Sequence, residues 1–520
     1  MTLTWRRTVF RCRSMSSLLC EWPEVRHAAQ VGRPAKMRGS IGGMSKETVP
    51  EQTSTYDVVV IGGGPAGENV AQYAIEGTDL TAVLVEGELL GGECSYYACM
   101  PSKAFLVPIE VAAASANLGG LRPAELSALD LLERRDEWVS RYDDAGQVRW
   151  AEGAGLDVVR GWARLDGERR VAVRTAEGER VLHARRAVVL ATGAQPVVPA
   201  AFQGLEAWDS RDATGVQEIP QRLVVVGGGV VACEAATWMS ALGSDVTMLV
   251  RGPRLLSAAE SFASRLIEES LAARGVTVMT NAQVTAAERS QASDTGLGRI
   301  HGGPVTVTCA GRTIEADEIL VATGRRPLLT GIGLETVGLE PDDVLDGRLP
   351  DWLYAVGDAS GEAQLTHIGK YRARVVGERI AAHAAGCEPE PVPDSIPVPQ
   401  VVFTDPQLAS SGLTEQRARA LDHDVVTAQV GYTSAAGAAL LRDDAHGEAK
   451  LVVDRQTGAV LGATFVGPGA GELIHAATIA ITAGVPVHRL RHAVPAYPTA
   501  SEIWLRLIES LPSELLHPKR

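Results

Sequence analysis

A short pattern occurs twice in this chain, with its glycines about 165 residues apart. In each copy an apolar run, typical of a buried parallel strand, leads directly into closely spaced glycines, a helix-like stretch and a second apolar strand. The copies run from Asp57 to Glu86 and from Leu223 to Val250. A β-α-β unit with glycines in its first turn is an architecture that binds dinucleotides. The chain is therefore predicted to be an α/β protein with two Rossmann-like units, binding two dinucleotides or one beside a degenerate copy.

The three glycines of the first copy have separate tasks. Gly62 permits the tight turn, Gly64 lets backbone amides approach a pyrophosphate, and Gly67 lets the helix pack closely on the strand. Glu86 stands 24 residues after Gly62, at the end of the second strand, where its carboxylate can accept hydrogen bonds from a ribose. Because strand, helix and acid all stand at the expected spacing, this copy is predicted to bind a dinucleotide.

The second copy departs from the first in two places. Gly227 and Gly229 are followed by Ala232, a tolerated replacement for the third glycine. After the second strand the acid is missing, because Val250 stands in its place and Arg251 follows. A carboxylate there would repel a 2′-phosphate, whereas a guanidinium pairs with it. We therefore expect NADPH rather than NADH; the alternative is that Arg251 is one of many arginines on a solvated loop.

Composition places the chain among globular proteins. Its 520 residues predict three to four domains, and a mean hydropathy near zero with 22% charged residues excludes a disordered or integral membrane protein. The formal charge of −14 argues against a nucleic acid or an anionic membrane as partner. Five of the seven cysteines are scattered, which suits free thiols in a reducing compartment, so we expect a cytoplasmic protein.

The first 50 residues differ from the rest. They carry nine Lys and Arg against three Glu, and they lack both hydrophobic periodicity and an apolar run long enough for a secretory signal. Residues 1–54 are predicted to be a disordered extension, either dispensable or an organelle-targeting segment.

The remaining two cysteines, Cys94 and Cys99, follow a glycine pair and precede Lys103. In a regular helix residues five apart rise about 7.5 Å and point about 140° apart, too far for a disulfide. A bridge therefore requires a distorted turn, which the preceding Gly91 and Gly92 could accommodate. Such a strained bridge suits redox turnover. A zinc pair and two unrelated buried thiols are the alternatives, although no further Cys or His lies nearby in the sequence and no metal site is expected.

Taken together, these motifs resemble the flavin-dependent pyridine nucleotide-disulfide oxidoreductases, the family of lipoamide dehydrogenase, glutathione reductase and mercuric reductase. The resemblance covers about Tyr56 to Trp504. Besides the two glycine-rich units and the cysteine segment, it rests on further short motifs, namely Ala191-Thr-Gly193, Ala322-Thr-Gly324, Tyr354-Ala-Val-Gly-Asp358, Phe403-Thr-Asp-Pro406, and the group Pro498, Thr499 and Glu502.

The resemblance implies a fold of FAD-binding and NAD(P)-binding Rossmann-like domains plus an α+β C-terminal dimerisation domain, assembled as a homodimer. The expected boundaries are 55–195 and 328–390 for the FAD domain, 196–327 for the NAD(P) domain and 395–520 for the dimerisation domain. The FAD residues it implies are Gly62, Gly64, Gly67, Glu86, Lys103, Gly161, Thr192, Gly193 and Asp358. The NAD(P)H residues are Gly227, Gly229, Ala232, Glu234, Arg251 and Gly324.

The resemblance also implies roles in catalysis. Cys99 would contact the flavin and Cys94 would exchange with substrate, while Lys103 and Glu234 match the family's ion pair beside flavin and nicotinamide. Thiol-exchanging relatives add a His-Glu pair across the dimer, and here Tyr497 stands where that His should be, before Glu502. A neutral tyrosine is a poor base near pH 7.

Two histidines could stand in for the missing one. His492 would need a rearranged backbone, and a packing or hydrogen-bonding role is expected for His367. The leading hypothesis is an enzyme that passes electrons from NADPH through FAD to a Cys94–Cys99 disulfide and on to a small-molecule or disulfide acceptor. The runner-up is a quinone or dye reductase that bypasses the disulfide, with a lipoamide dehydrogenase-like activity as a further alternative.

Two other possibilities are disfavoured. Mercury reduction is unexpected because the chain lacks both a C-terminal cysteine pair and an N-terminal Cys-x-x-Cys. A flavin-bearing sensor without turnover is disfavoured by the complete nicotinamide motif.

Overall fold

The computed structural model describes residues 52–393 and 395–517. The first part of the chain forms β1 (Gln52–Ile61), α1 (Pro65–Ile75), β2 (Ala82–Glu86), α2 (Gly92–Tyr96), α3 (Cys99–Ala116), α4 (Ala128–Trp138), α5 (Ala145–Gly153), β3 (Asp157–Arg160), β4 (Trp162–Leu165), β5 (Arg170–Thr175), β6 (Gly178–Leu190) and β7 (Ala194–Pro196). The second part forms α6 (Ser210–Thr214), β8 (Arg222–Val226), α7 (Val230–Ala241), β9 (Asp245–Leu249), α8 (Ser261–Ala273), β10 (Thr277–Met279), β11 (Val284–Arg289), β12 (Val305–Cys309), β13 (Arg312–Ala316), β14 (Glu318–Val321) and β15 (Arg325–Pro327).

The chain then returns to the first domain through α9 (Pro341–Leu345), β16 (Leu353–Ala355) and α10 (Thr366–Ala384). The C-terminal part forms β17 (Gln400–Val402), β18 (Gln407–Gly412), α11 (Glu415–Ala420), β19 (Val425–Gly431), α12 (Ala436–Ala439), β20 (Glu448–Asp454), β21 (Val460–Gly467), α13 (Ala470–Thr482), α14 (Val487–Leu490), α15 (Glu502–Glu509) and α16 (Ser513–Leu516).

Two parallel sheets form the nucleotide-binding halves. In the first, β3, β2, β1 and β6 lie side by side in parallel, and β16 pairs with the end of β6. The beginning of β6 also pairs with β5, which continues to β4 as an antiparallel extension. The second sheet has the parallel order β10-β9-β8-β14, and a separate antiparallel sheet holds β11, β12 and β13. The buried strands are rich in valine and leucine, as expected for sheets covered on both faces.

The C-terminal domain is a five-stranded antiparallel sheet in the order β17-β18-β21-β20-β19, packed against α13 and α15. Its core shares Ile503 and Leu507 of α15 with Phe465 of β21. Together with the two parallel sheets, this arrangement confirms the predicted fold class of two Rossmann-like domains plus an α+β C-terminal domain.

The chain passes between the first two domains at one small two-stranded sheet. The strands β7 and β15 pair with each other antiparallel, and each stands where the chain passes from one domain to the other. A shared hydrophobic core then joins the domains, because Phe105 of α3 stacks on Trp238 of α7 with ring centroids 6.1 Å apart. These contacts place the N-terminal end of α3 beside the second glycine-rich unit.

The expected disordered extension of residues 1–54 is wrong for its last three residues. Gln52 to Ser54 pair in register with Arg180 to Leu182 of β6, because that strand is 13 residues long and offers a partner well before Tyr56. The preceding residues, 1–51, lie outside the described part of the chain.

Candidate active site

The turn between β1 and α1 has the geometry of a dinucleotide-binding loop. Gly62 has φ +108°, and a Cβ there would lie 2.2 Å from the carbonyl oxygen of Ala191. A Cβ at Gly67 would lie 2.0 Å from the Gly62 carbonyl, whereas one at Gly64 would meet only Gly92, 3.8 Å away. Gly62 and Gly67 are therefore required by close backbone packing, and Gly64 leaves open space at the N-terminal end of α1, where an anion is favoured.

Glu86 lies at the end of β2 beside this loop. Its Oε2 accepts a hydrogen bond from the Gly63 amide at 2.7 Å, and its Oε1 accepts one from the Glu88 amide at 2.7 Å. Burial raises the pKa of the Glu86 carboxyl. Gly161, on the neighbouring strand end, donates its amide to the Glu86 carbonyl at 3.0 Å and has φ +154°. The two predicted residues therefore meet at one edge of the sheet.

Thr192, Gly193 and Asp358 complete that edge, after the carboxyl ends of β6 and β16. Thr192 donates its hydroxyl to the Leu328 carbonyl at 2.7 Å, and the Gly193 carbonyl accepts from the Leu328 amide at 3.0 Å. Burial raises the pKa of Asp358. Ligands of open parallel sheets bind outside the carboxyl ends of the strands. The open loop at Gly64, the helix terminus and the two acids fit FAD, and the N-terminal end of α1 would hold its pyrophosphate.

The two cysteines lie on different helices. Cys94 is in α2 and Cys99 is the first residue of α3, and the chain breaks helical geometry between them at Ala98, with φ −137° and ψ −87°. The expected distortion is therefore present, but it lies between the cysteines and not at the preceding glycines. Gly91 and Gly92, both with positive φ, instead begin α2 and bring it against the loop at Gly64.

The break brings the two sulfur atoms within hydrogen-bonding range of each other. Both cysteines are free thiols and half-buried. The hydrogen bond from Cys94 lowers the pKa of Cys99 to about 6, and the same interaction raises the pKa of Cys94. Charge therefore concentrates on Cys99, and Cys94 stays protonated.

Thr366, the first residue of α10, was missed by the sequence reasoning. Its Oγ1 lies 3.3 Å from the sulfur of Cys99, and this contact also lowers the pKa of that thiol. The residue stands 267 positions away in the sequence. The available signal was a threonine at a helix start soon after Asp358, at an edge where parallel strands end.

Lys103 and Glu234 are brought together by the packing of α3 on α7. The Lys103 ammonium lies 2.8 Å from Glu234 Oε2 and 4.6 Å from the centroid of the Phe403 ring. The other carboxylate oxygen, Oε1, accepts the Phe403 backbone amide at 3.0 Å. Glu234 is 4% exposed and both of its oxygens have a partner, whereas the Lys103 side chain is 30% exposed. The contacts of this carboxylate join α3, α7 and the segment at Phe403.

The second glycine-rich unit borders a cavity of about 830 Å³. Gly227 has φ +133°, and a Cβ there would lie 2.3 Å from the Ala322 carbonyl, whereas one at Gly229 would meet nothing within 4 Å. Ala232 is fully buried in α7, and Gly324 also lines the cavity. The cavity size and its glycine wall fit a nicotinamide dinucleotide.

Arg251 lines the same cavity and is exposed, and Arg254 lies close to it there. The position before Arg251, directly after β9, is Val250, which is 4% exposed. The cavity therefore has an apolar residue where a carboxylate would otherwise select a free ribose hydroxyl, and a guanidinium at the next position.

Tyr497 and Glu502 both belong to the C-terminal domain, in the segment that leads into α15. Tyr497 is 77% exposed on the C-terminal domain. Glu502, at the start of α15, is 6% exposed, and its Oε2 accepts the Gly437 amide at 3.5 Å. His492 is exposed, and His367 contacts the Pro399 carbonyl at 2.8 Å. His367 thus has a hydrogen-bonding contact with the segment before β17.

Two absences hold for the residues the structure covers. Within 52–393 and 395–517, no cluster of three or more His, Cys, Asp or Glu could hold a metal ion. In the same ranges no helix has the length and hydrophobicity needed to cross a membrane.

Comparison with family models and curated proteins gives a consistent result. Residues 56–378 match the family described as pyridine nucleotide-disulphide oxidoreductase, and residues 398–508 match its dimerisation domain. Dihydrolipoyl dehydrogenase 3 of Pseudomonas aeruginosa is 33% identical over 465 residues, covering 86% of this chain and 96% of the relative. Mercuric reductase of Staphylococcus aureus is 31% identical over 461 residues, covering 86% and 81%.

Solved structures show the same architecture. LpdA from Mycobacterium tuberculosis superposes with a TM-score of 0.74 at 26% identity, covering 88% of this chain and 99% of that one. The copper(II) complex of the HOCl-induced flavoprotein disulfide reductase RclA from Escherichia coli has a TM-score of 0.74 at 24% identity, with coverage of 88% and 99%, and supports the fold alone.

Proposed function

The chain belongs to the pyridine nucleotide-disulphide oxidoreductase family, and we propose that Cys94 and Cys99 form its redox-active disulfide. Members of this family use FAD and NAD(P)H, so the protein is an NAD(P)H-dependent FAD disulfide oxidoreductase. The observation that carries the proposal is the convergence of Cys94, Cys99 and Thr366 beside the ion pair of Lys103 with Glu234.

The proposed half-reaction balances on these two sulfurs. NADPH supplies a hydride equivalent, the S–S bond breaks, and the products are NADP⁺, a thiolate on Cys99 and a thiol on Cys94. FAD, when bound, carries the electron pair between the nicotinamide and the disulfide. Thr366 and Lys103 support the thiolate, because a hydroxyl and an ammonium both favour its charged form. The second half-reaction passes the electron pair to the acceptor through Cys94.

Removal of the proton from Cys94 is the least favourable step of this chemistry. Its pKa is raised, so it needs a proton acceptor before it can attack an external disulfide. We propose that Tyr497 and Glu502 of the other protomer occupy the place of the His-Glu pair of thiol-exchanging enzymes. A tyrosine serves this step less well than a histidine, so slow exchange with disulfide substrates is expected.

The lack of a good proton acceptor at Cys94 favours a second candidate function. An acceptor that takes electrons directly from the flavin, such as a quinone, needs no base at Cys94. In that case the disulfide is bypassed, and the cofactors and the fold are the same.

We propose NADPH as the preferred reductant, supported by Arg251 at the cavity and by the apolar Val250 before it. The match to the dimerisation domain indicates a homodimer. Large apolar side chains that the C-terminal domain leaves exposed support an interface there, namely Ile479 at 57%, Val494 at 85% and Tyr497 at 77%. The domain boundaries and the cytoplasmic location stay predictions.

One experiment separates the two candidate functions. Wild type and the Cys94→Ser/Cys99→Ser variant are assayed for oxidation of NADPH and of NADH against disulfides, quinones and mercuric ion. Under the main proposal the variant loses disulfide reduction, and Cys99→Ser alone loses the long-wavelength thiolate–flavin band on reduction. A variant with full activity toward every acceptor of the wild type, and an unchanged spectrum, would show that the cysteines take no part.

A further inference from the structure

Glu93 stands between the FAD loop and the redox cysteines. It follows Gly92, whose Cβ, if present, would lie 2.7 Å from the Cα of Gly64, and it precedes Cys94. The backbone at Glu93 is therefore held close to the open part of the Gly62–Gly67 loop. Its position in the sequence alone suggests no role for its side chain.

The two oxygens of the Glu93 carboxylate have different surroundings. Oε1 accepts a hydrogen bond from Arg211 Nε at 2.5 Å and forms an ion pair with the same guanidinium. Oε2 is buried and has no hydrogen-bond donor among the described residues, and Arg325 Nη1 lies 3.8 Å from it. Oε1 thus accepts hydrogen bonds from the protein, whereas Oε2 has only a charged neighbour and no hydrogen-bond donor among the described residues, which is rare for a buried acceptor.

Asp358 directly follows a residue that packs against the same loop. A Cβ at the preceding Gly357 would lie 2.8 Å from the Cβ of Ala66. The charge of Glu93 contributes to the raised pKa of Asp358, after burial, so the two carboxylates are close enough to interact. Two acids with two nearby arginines therefore flank the region between the FAD loop and the cysteines.

The chemistry of this pair selects what it can bind. A carboxylate repels the pyrophosphate of a dinucleotide but accepts hydrogen bonds from sugar or polyol hydroxyls. The part of FAD that carries such hydroxyls, between the pyrophosphate and the flavin ring, is the ribityl chain. We infer that Glu93 Oε2 accepts a hydrogen bond from a ribityl hydroxyl of FAD, with Arg211 holding the carboxylate in position through Oε1.

Through Arg211, Glu93 also connects the cofactor site to a second part of the chain. Arg211 lies in α6, within the segment predicted to form the nicotinamide domain, and also pairs with Glu88 Oε2 at 3.0 Å. Glu93 therefore ties the cofactor to the helix of Cys94 and to the second domain at once. The inference rests on FAD occupying the Gly62–Gly67 loop, and it does not depend on the redox role of Cys94 and Cys99.

The test measures FAD affinity of the deflavinated full-length protein, by flavin fluorescence or calorimetry. FAD is compared with analogues that lack the 2′-, 3′- or 4′-hydroxyl of the ribityl chain. Glu93→Ala is expected to weaken FAD binding about 10- to 100-fold, the range for a hydrogen bond to a charged group, and Glu93→Gln less, because its amide oxygen still accepts. The deoxy analogue that lacks the hydroxyl bound by Glu93 should bind with equal affinity to the wild type and to both variants.

Glu88→Gln is the matched control. This substitution removes the Glu88 carboxylate, which pairs with the same Arg211, and leaves Glu93 Oε2 unchanged. The variant should bind FAD like the wild type. Unchanged FAD affinity in both Glu93 variants would overturn the inference. So would a loss of the same size for FAD and for every deoxy analogue, because Glu93 would then act only through Arg211. Neither result bears on the acceptor assays, so failure here is distinct from failure of the proposed function.

Discussion

Cys99 owes its predicted reactivity to contacts from three parts of the chain. The hydrogen bond from Cys94 has the largest effect on its pKa, and Thr366 and Lys103 add to it against the opposing effect of burial. A thiol with a pKa of about 6 is largely a thiolate at neutral pH, whereas an ordinary cysteine is not.

Replacing Thr366 should therefore move this titration. Thr366→Ala removes the Oγ1 contact at 3.3 Å and is expected to raise the titration midpoint of the reduced cysteine pair by about one pH unit. Thr366→Ser keeps the hydroxyl and should stay close to the wild type. The measurement is the ultraviolet absorbance of the thiolate against pH. Equal midpoints in all three proteins would mean that Thr366 only packs against the sulfur.

Glu68 makes the stability depend on pH. It follows Gly67 in α1, is 8% exposed, and accepts a hydrogen bond from Gln147 at 3.1 Å. Burial raises its pKa from 4.5 to about 7, against the opposing charge of Lys370. Because the folded state holds the proton more tightly, the stabilisation is complete below pH 4.5 and is lost as the pH rises through 7.

Glu68→Gln should remove this dependence. Between pH 5 and pH 8 the free energy of unfolding of the wild type, relative to the variant, is expected to fall by about 2 kcal/mol. Urea denaturation of the flavin-loaded proteins at both pH values measures it. Glu76→Gln, at the exposed end of the same helix, is the control. A constant difference between wild type and Glu68→Gln across this range would contradict the assigned burial effect.

Among the helices, α2 and α3 are separated by a break that lies between the two cysteines proposed to be redox-active. An uninterrupted helix would point Cys94 and Cys99 apart, whereas the break at Ala98 lets their sulfurs meet. The start of α2 is equally constrained, because Gly92 has φ +57° and packs against Gly64. The same short helix thus holds the proposed exchange thiol, Cys94, and packs against the loop proposed to bind FAD.

Adding a methyl group at Gly92 should push α2 away from the loop at Gly64. Gly92→Ala is expected to weaken FAD binding at least tenfold, because the new Cβ would lie 2.7 Å from the Cα of Gly64, a backbone atom that would have to move. Gly77→Ala is the matched control, with φ +70° and no atom within 4 Å, and it should cost only about 1 kcal/mol of backbone strain. Similar FAD affinity in the two variants would rule out the contact as the cause.

Across the molecule as a whole, a buried charge cluster fastens the C-terminal domain to the nicotinamide domain. Lys450 of β20 lies 2.9 Å from Glu260 Oε2 and 2.7 Å from Glu415 Oε2. Glu260 precedes α8, and its Oε1 also accepts the Glu415 amide at 2.7 Å. Both Lys450 and Glu260 are 7% exposed, so neither charge can turn to water if its partner is lost.

Lys450→Met is therefore expected to lower the free energy of unfolding by about 3 kcal/mol, because it strands the carboxylate of Glu260. The double variant Lys450→Met/Glu260→Gln should recover part of the loss. Arg506→Met, which breaks a surface pair with Glu509, should cost under about 1 kcal/mol. Denaturant unfolding of the four proteins measures this. A loss no larger than that of Arg506→Met would show that the cluster does not hold the domains together.

Features whose physical requirements are local could be predicted from the amino-acid sequence. Positive φ and close backbone approach demand glycine at Gly62 and Gly227, and continuous apolar runs demand buried strands. Both nucleotide-binding units could therefore be located from residue spacing. The pairing of Lys103 with Glu234, 131 residues apart, was accessible only through resemblance to a family.

Which distant side chains meet depends instead on tertiary packing. Thr366 reaches Cys99 across 267 residues, and Arg211 reaches Glu93 across 118, and no periodicity encodes either contact. The strand start at Gln52 likewise depends on the length of β6, a partner more than 100 residues away. Local spacing specifies turns and strands because it acts through the backbone, whereas contacts between remote residues arise from how whole elements pack. The environment of the cysteines, on which their chemistry depends, belongs to the second kind.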